Sequence, residues 1–392
     1  MKGHLKVWTS KYGNDRPRRL LACDGGGIKG IITLEILKKI EADLAKMTGQ
    51  GKDFRLGDYF DYIAGTSTGA IIATGLAVGM SVKELTDFYI QSGPMMFEKE
   101  KLLGRLKRWY TAEPLKKQLQ SVLGRNTTLG SRNLRCLLMI VTQNATTGSP
   151  WPVTNNPFAK YNDLNRPDCN FQIPLWQLVR ASTAAPVYFP PEILEWEAGN
   201  PDKSFVFVDG GITPYNNPAF LLYRHATGPL YKLDWKTGEK EMMLISVGTG
   251  SAAQTDLTQD QAGNNLLKNA QNLPSILMAG AAVDQDINCR SIGRCVFGAE
   301  IDRELGDLKI REAEKPVDGK LVPLRQDCGR AFLYARYDPD VSAEGLAALG
   351  LKTIDPAHVQ AMDKVEHLEK MRKVGKAYAK LVDMKPFKDF TK

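Results

Sequence analysis

The chain has 392 residues, 43% of them hydrophobic and 24% charged, with a formal net charge of +8. That supplies apolar material for one large buried core or two smaller ones, and no run of 18 or more apolar residues offers a membrane-spanning helix. Six scattered cysteines without a C-x-x-C pair argue against a zinc or redox centre, and four histidines leave little imidazole for catalysis.

Residues 1–17 read as a polar N-terminal tail. The basic segment from Lys11 to Arg19 lacks the apolar stretch of a signal peptide, so a cytoplasmic location is expected. The first strand is Leu20-Leu21-Ala22-Cys23. It runs into Asp24-Gly25-Gly26-Gly27-Ile28-Lys29-Gly30 and then into a helical pattern, with Ile31, Ile32, Leu34, Ile36, Leu37, Ile40 and Leu44 mostly on one face. A glycine-rich turn before a helix start gathers backbone N–H groups into an anion site. Two anions fit such a site. One is the oxyanion of an acyl-transfer intermediate. The other is a nucleotide phosphate. The order Lys29-Gly30-Ile31 fails the P-loop pattern, and Gly25, Gly27 and Gly30 match only the weakly diagnostic G-x-G-x-x-G.

A second strand, Tyr62-Ile63-Ala64, ends in Gly65-Thr66-Ser67-Thr68-Gly69. An apolar helix follows, carrying Ala70, Ile71, Ile72, Ala73, Leu76 and Ala77. This is again strand, sharp turn, helix, the arrangement that lifts a serine hydroxyl clear at a helix start. Gly65 and Gly69 are needed where two chain segments pass too closely for side chains. Residues 99–117 carry seven bases against two acids, interleaved with Leu102, Leu103, Leu106, Trp109, Tyr110 and Leu115. That composition suits an anionic membrane surface and equally an ordinary solvated helix with a core face. No module accompanies it that would read nucleic acid.

Further strands are expected over 134–142, at Phe205-Val206-Phe207-Val208 and over Met242–Val247. The last two end in Asp209-Gly210-Gly211 and Gly248-Thr249-Gly250. Residues 144–170 and 251–265 read as polar loops, 264–280 as a helix, 330–337 as a strand and 355–381 as a helix. Apolar strands alternating with helices indicate an α/β fold with a mostly parallel central sheet covered by helices on both faces. In such sheets the site lies beyond the carboxyl ends of the strands, where Gly25, Gly26, Gly27, Ser67 and Asp209 all fall. Residues 18–300 are read as the α/β domain and 301–392 as a C-terminal extension packed on it.

Serine needs a base. His4 lies in the tail, His358 and His367 in a charged helical stretch, and His225 on a helix, so no histidine is presented by turn chemistry. Asp209, at a strand end before two glycines, is the economical base. Partial desolvation would raise its pKa toward neutrality.

With these residues in place, the chain resembles the patatin-like phospholipase family of bacterial type. The segments from Asp24 to Gly30, from Gly65 to Gly69 and from Asp209 to Gly211 with Asn216-Asn217-Pro218 match its motifs in order. Ala181-Ser182-Thr183-Ala184-Ala185-Pro186-Val187-Tyr188-Phe189-Pro190 resembles a fourth. The resemblance implies a Ser67–Asp209 dyad, an oxyanion hole at Gly25, Gly26 and Gly27, and supporting roles for Asp24, Lys29, Gly30, Gly65, Gly69, Gly210 and Gly211. It implies hydrolysis of fatty-acyl esters of phospholipids at a membrane surface, without cofactor or metal. Arg336-Tyr337-Asp338-Pro339 and Leu349-Gly350-Leu351 resemble a group of such enzymes activated by cyclic nucleotides in antiphage defence, which implies a cyclic-nucleotide activator. The residues themselves mark no nucleotide site. Two other readings stay open: a phosphate- or nucleotide-binding protein using the Gly-rich loop, and an inactive membrane-binding adaptor.

Overall fold

The computed structural model describes residues 12–13, 16–96, 110–186, 188–197, 200–252, 266–301, 305–308, 314–318, 320–323 and 329–391. The chain opens with β1 (Arg18–Cys23), α1 (Gly30–Thr48), β2 (Tyr62–Thr66) and α2 (Thr68–Ala77). Then come α3 (Val82–Met96), α4 (Glu113–Leu123), β3 (Leu137–Asn144), β4 (Ser149–Thr154) and α5 (Leu175–Ser182). The middle of the chain gives β5 (Glu192–Glu195), β6 (Ser204–Asp209), α6 (Ala219–Thr227), β7 (Met242–Val247) and α7 (Leu266–Ile292). Towards the C-terminus come β8 (Arg294–Phe297), β9 (Glu314–Val317), β10 (Lys320–Pro323), β11 (Leu333–Tyr337), α8 (Ala343–Ala348), α9 (Pro356–Gln360) and α10 (Leu368–Ala379).

One sheet runs in the order β5-β6-β3-β2-β1-β7-β11-β8, with β4 also paired to β3. The links from β3 through β2, β1, β7 and β11 to β8 are parallel, whereas β4, β5 and β6 pair antiparallel. Side chains alternate across the sheet as the two-residue period requires. Leu21, Cys23, Ile63, Leu138, Ile140 and Ile245 join the core beneath α1 and α2. Leu20, Ala22, Tyr62, Ala64, Leu137, Met139 and Leu244 join the core on the α6 side. Both faces being covered, the central strands carry continuous apolar runs, Leu20–Cys23 in β1, Leu137–Val141 in β3 and Met242–Ile245 in β7. The last ninety residues contribute to the same sheet through β11, between β7 and β8, and α10 returns to α1, where Arg372 pairs with Glu35 at 2.9 Å.

Several expected bounds shift. The strand expected over 134–142 is Leu137–Asn144. Within the stretch read as a loop over 144–170, Ser149–Thr154 is a strand on β3. Its prolines, Pro150 and Pro152, read as loop residues but are tolerated where one side of a strand has no ladder. The helix expected over 264–280 runs from Leu266 to Ile292. The helix expected over 355–381 is interrupted between α9 and α10, because the Met362 carbonyl accepts the Ile28 N–H at 2.8 Å instead of a helical partner. Most of the basic stretch of 99–117, and nearly all of the loop expected over 251–265, lie outside the described residues. Among the described residues no helix is long and apolar enough to cross a membrane.

Candidate active site

The register of β3 brings the central pair of residues together. β2 runs along one edge of β3 as far as Thr66, opposite Val141. β4 occupies the other edge. β6 therefore takes over the first edge where β2 ends, with Asp209 opposite Thr142. Ser67 and Asp209 thus leave their strands beside consecutive residues of β3.

Ser67 has φ 54° and ψ −121°, a backbone conformation uncommon for a residue with a Cβ. The turn is tight: a Cβ on Gly65 would collide with the Gly69 carbonyl, and one on Gly69 with the Cys23 carbonyl. Ser67 N–H donates to Ser182 Oγ at 2.9 Å, and Ser182 Oγ–H donates to the Val141 carbonyl at 2.6 Å. The Ser67 hydroxyl donates to Asp209 Oδ2 at 2.7 Å, and both side chains are buried. Asp209 Oδ1 accepts the Gly211 N–H at 2.7 Å, while the Asp209 N–H donates to the Ala184 carbonyl at 3.0 Å. The end of α5 and the turn after it therefore brace both members of the pair. Burial raises the Asp209 carboxyl to about 6. The Ser67 hydroxyl, the Gly211 N–H and the nearby buried Arg180 guanidinium pull the other way. That value suits a base working near neutral pH.

The Gly-rich turn follows β1. Gly25 lies against the serine, since a Cβ there would sit 3.2 Å from Ser67 Cβ. The Gly25 N–H is committed to the Asn216 carbonyl at 3.1 Å. The N–H groups of Gly26 and Gly27 carry no partner among the described residues. Gly27 has φ +59°, and a Cβ there would strike the Met362 carbonyl. The turn is held from several sides. Asp24 receives Arg336 through two bonds of 2.9 and 2.6 Å, and Arg336 also reaches Ser246 and Asp338. Thr249 Oγ1 donates to the Gly25 carbonyl at 3.2 Å, and Lys29 Nζ to the Gly250 carbonyl at 3.1 Å. Gly30 is close to Thr68 at the start of α2, and Gly210 to the Val141 carbonyl.

A pocket of about 790 Å³, its open mouth included, contains Ser67, Asp209 and Gly27. Ile71, Met96, Leu115, Phe189 and Met278 give it an apolar wall; Tyr188, Met362 and Asp363 line it as well. An acyl chain suits such a wall. His225 is elsewhere: it is buried on α6, stacked 3.6 Å from Tyr231, and does not line the pocket. Burial first, and Arg224 second, hold it down at about 3, so it is neutral near pH 7. Sequence reasoning gave no role to Arg336, Thr249 or Met362. Ser182 and Asn216 were present in matched motifs, which was the available signal.

Residues 21–223 match the family model described as patatin-like phospholipase. The chain belongs to that family. It is 32% identical to a cGAMP-activated phospholipase of Escherichia coli, over 60% of this chain and 63% of that protein. It is 34% identical to a cGAMP-activated phospholipase of Vibrio cholerae, over 52% and 56%. It is 32% identical to Patatin-17 of Solanum cardiophyllum, over 61% and 62%. The chain spans about three fifths of the length of these relatives. The mixed, mostly parallel sheet flanked by helices is the architecture expected from the sequence.

Proposed function

We propose that the chain is a lipid acyl hydrolase acting through Ser67 and Asp209. The observation that carries this is the 2.7 Å hydrogen bond from the Ser67 hydroxyl to Asp209, in an apolar pocket beside the Gly-rich turn. Asp209 Oδ2 takes the hydroxyl proton as Ser67 Oγ attacks the ester carbonyl. The oxyanion enters the Gly26 and Gly27 N–H groups, each worth about 3 kcal/mol of barrier in such sites. Gly25 shapes the turn, its own N–H being held by Asn216. Collapse breaks the ester bond, and Asp209 returns the proton to the leaving alcohol. Water then attacks the acyl-serine and gives a proton to Asp209; as the fatty acid is released, Asp209 returns that proton to the departing Ser67 Oγ and the pair is restored. The working unit is residues 18–300 completed by 301–392.

Phospholipid at a membrane surface is the proposed substrate, with the basic residues of 99–117 aiding attachment from the cytoplasmic side. The two cGAMP-activated relatives support a cyclic nucleotide as the activator of this chain. The test is fatty-acid release from mixed phospholipid vesicles, with and without cGAMP, by the parent and by Ser67→Ala. Release by the parent alone supports the reading. Equal release by both proteins removes Ser67 as the nucleophile, and release by neither leaves the adaptor or phosphate-binding readings.

A further inference from the structure

Asp209 and Asp363 are the only charged side chains among the described residues that line the pocket; no lysine or arginine does. Asp209 is accounted for by the serine. Asp363 is not used by the chemistry above. It lies between α9 and α10, next to Met362, whose carbonyl is fixed to the Ile28 N–H just past the Gly-rich turn. Asp363 Oδ2 accepts the Tyr110 hydroxyl at 2.8 Å, and no cation forms a salt bridge with it among the described residues. The Tyr110 ring stacks on that of Tyr188, with centroids 6.2 Å apart and planes 4° from parallel, and the Tyr110 N–H donates to the Tyr188 carbonyl at 2.9 Å. Tyr188 lines the same pocket. A carboxylate with no cation against it among the described residues, beside an aromatic ring that lines the same pocket, is the chemistry that recognises an organic ammonium.

We propose that this corner of the pocket selects phospholipids whose head group carries an ammonium, held by Asp363 and the Tyr188 ring, with the buried Tyr110 positioning both. The proposal rests on the hydrolase reading and names its substrate class. An ethanolamine or choline head group brings a positive charge to Asp363 and offers it to an aromatic face. A glycerol head group leaves only its phosphate, which meets a like charge in a partly desolvated site. Asp363 thereby opposes the basic segment of 99–117: that segment would favour an anionic surface, whereas the pocket would choose among the lipids in it.

The test separates the pocket from the surface by presenting each lipid in mixed micelles of neutral detergent. The kcat/KM values for phosphatidylethanolamine, phosphatidylcholine and phosphatidylglycerol are compared in the parent, Asp363→Asn and Tyr110→Phe, each normalised to turnover of a soluble, uncharged short-chain ester. The parent is expected to favour the two ammonium lipids by about tenfold or more, in keeping with a single partly buried charge contact. Asp363→Asn should reduce that preference about tenfold. Tyr110→Phe, which keeps the carboxylate and the ring, should retain most of it. A preference unchanged in Asp363→Asn overturns the proposal. So does a loss on all three lipids in step with the uncharged ester, which would make Asp363 a structural tie to Tyr110. A parent that hydrolyses no ester at all, the soluble one included, removes the hydrolase reading itself and this proposal with it.

Discussion

Asp209→Asn removes a charge that the fold holds at a cost. Burial raises the carboxyl from 3.8 to about 6, so keeping it ionised costs about 3 kcal/mol, at ~1.36 kcal/mol per pH unit. Because the folded pKa lies above the unfolded one, that cost is complete above about pH 6 and fades as the pH falls. It is absent below pH 3.8. The amide keeps an oxygen for the Ser67 hydroxyl, but its NH₂ then meets the Gly211 N–H, a mismatch of about 1–3 kcal/mol. At pH 8 the variant should therefore be as stable as the parent, or up to about 2 kcal/mol more stable. At pH 4 that advantage should be gone. Urea unfolding at the two pH values measures this. Ester turnover on the same preparations should fall at least ~100-fold, since the amide cannot accept the proton. A variant less stable than the parent by more than about 2 kcal/mol at pH 8 would make Asp209 a structural anchor. Retention of more than about one hundredth of the activity would refute its role as base.

The acid limb of kcat/KM against pH should fall with an apparent pKa near 6, because only the ionised carboxylate accepts the proton. Arg180→Met should move that limb to higher pH by removing a cation that favours the charged form; a limb that stays in place would separate Arg180 from Asp209. Gly26→Ala puts a methyl group against the Thr249 side chain, so the turn must shift. Turnover should then fall about tenfold or more with KM little changed, because the oxyanion exists only on the reaction path. A rise in KM with kcat intact would contradict the placement of the oxyanion.

The two strand–turn–helix units were legible because their pattern is local: an apolar run, Leu20–Cys23 or Tyr62–Ala64, gives way to glycines and then to a helical period. The contacts that require those glycines are mostly distant, Gly26 facing Thr249, Gly27 facing Met362 and Gly69 facing Cys23, and only Gly65 answers a residue four positions on, Gly69. What brings Asp209 to Ser67 was not legible from local pattern. It depends on β6 following β2 along one edge of β3, a register set by two segments far apart in the chain. The support of the Gly-rich turn is equally distant: Arg336 reaches Asp24 from β11; each lies in a stretch that stands out in the sequence, but neither stretch shows that the two meet. At 361–364 the periodic pattern misled. Val359, Met362, Val365 and Leu368 keep helical spacing, yet Met362 gives its carbonyl to Ile28 and the helix breaks. That break places Met362 and Asp363 in the lining of the pocket that holds Ser67 and Asp209.

A fluorophosphonate probe, with peptide mapping of the adduct in the parent, Ser67→Ala and Asp209→Asn, asks whether Ser67 is a nucleophile activated by Asp209. Covalent labelling is expected at Ser67 in the parent, none at that position in Ser67→Ala, and much slower labelling in Asp209→Asn. Labelling at another residue, or ester hydrolysis that survives in Ser67→Ala, would contradict that role.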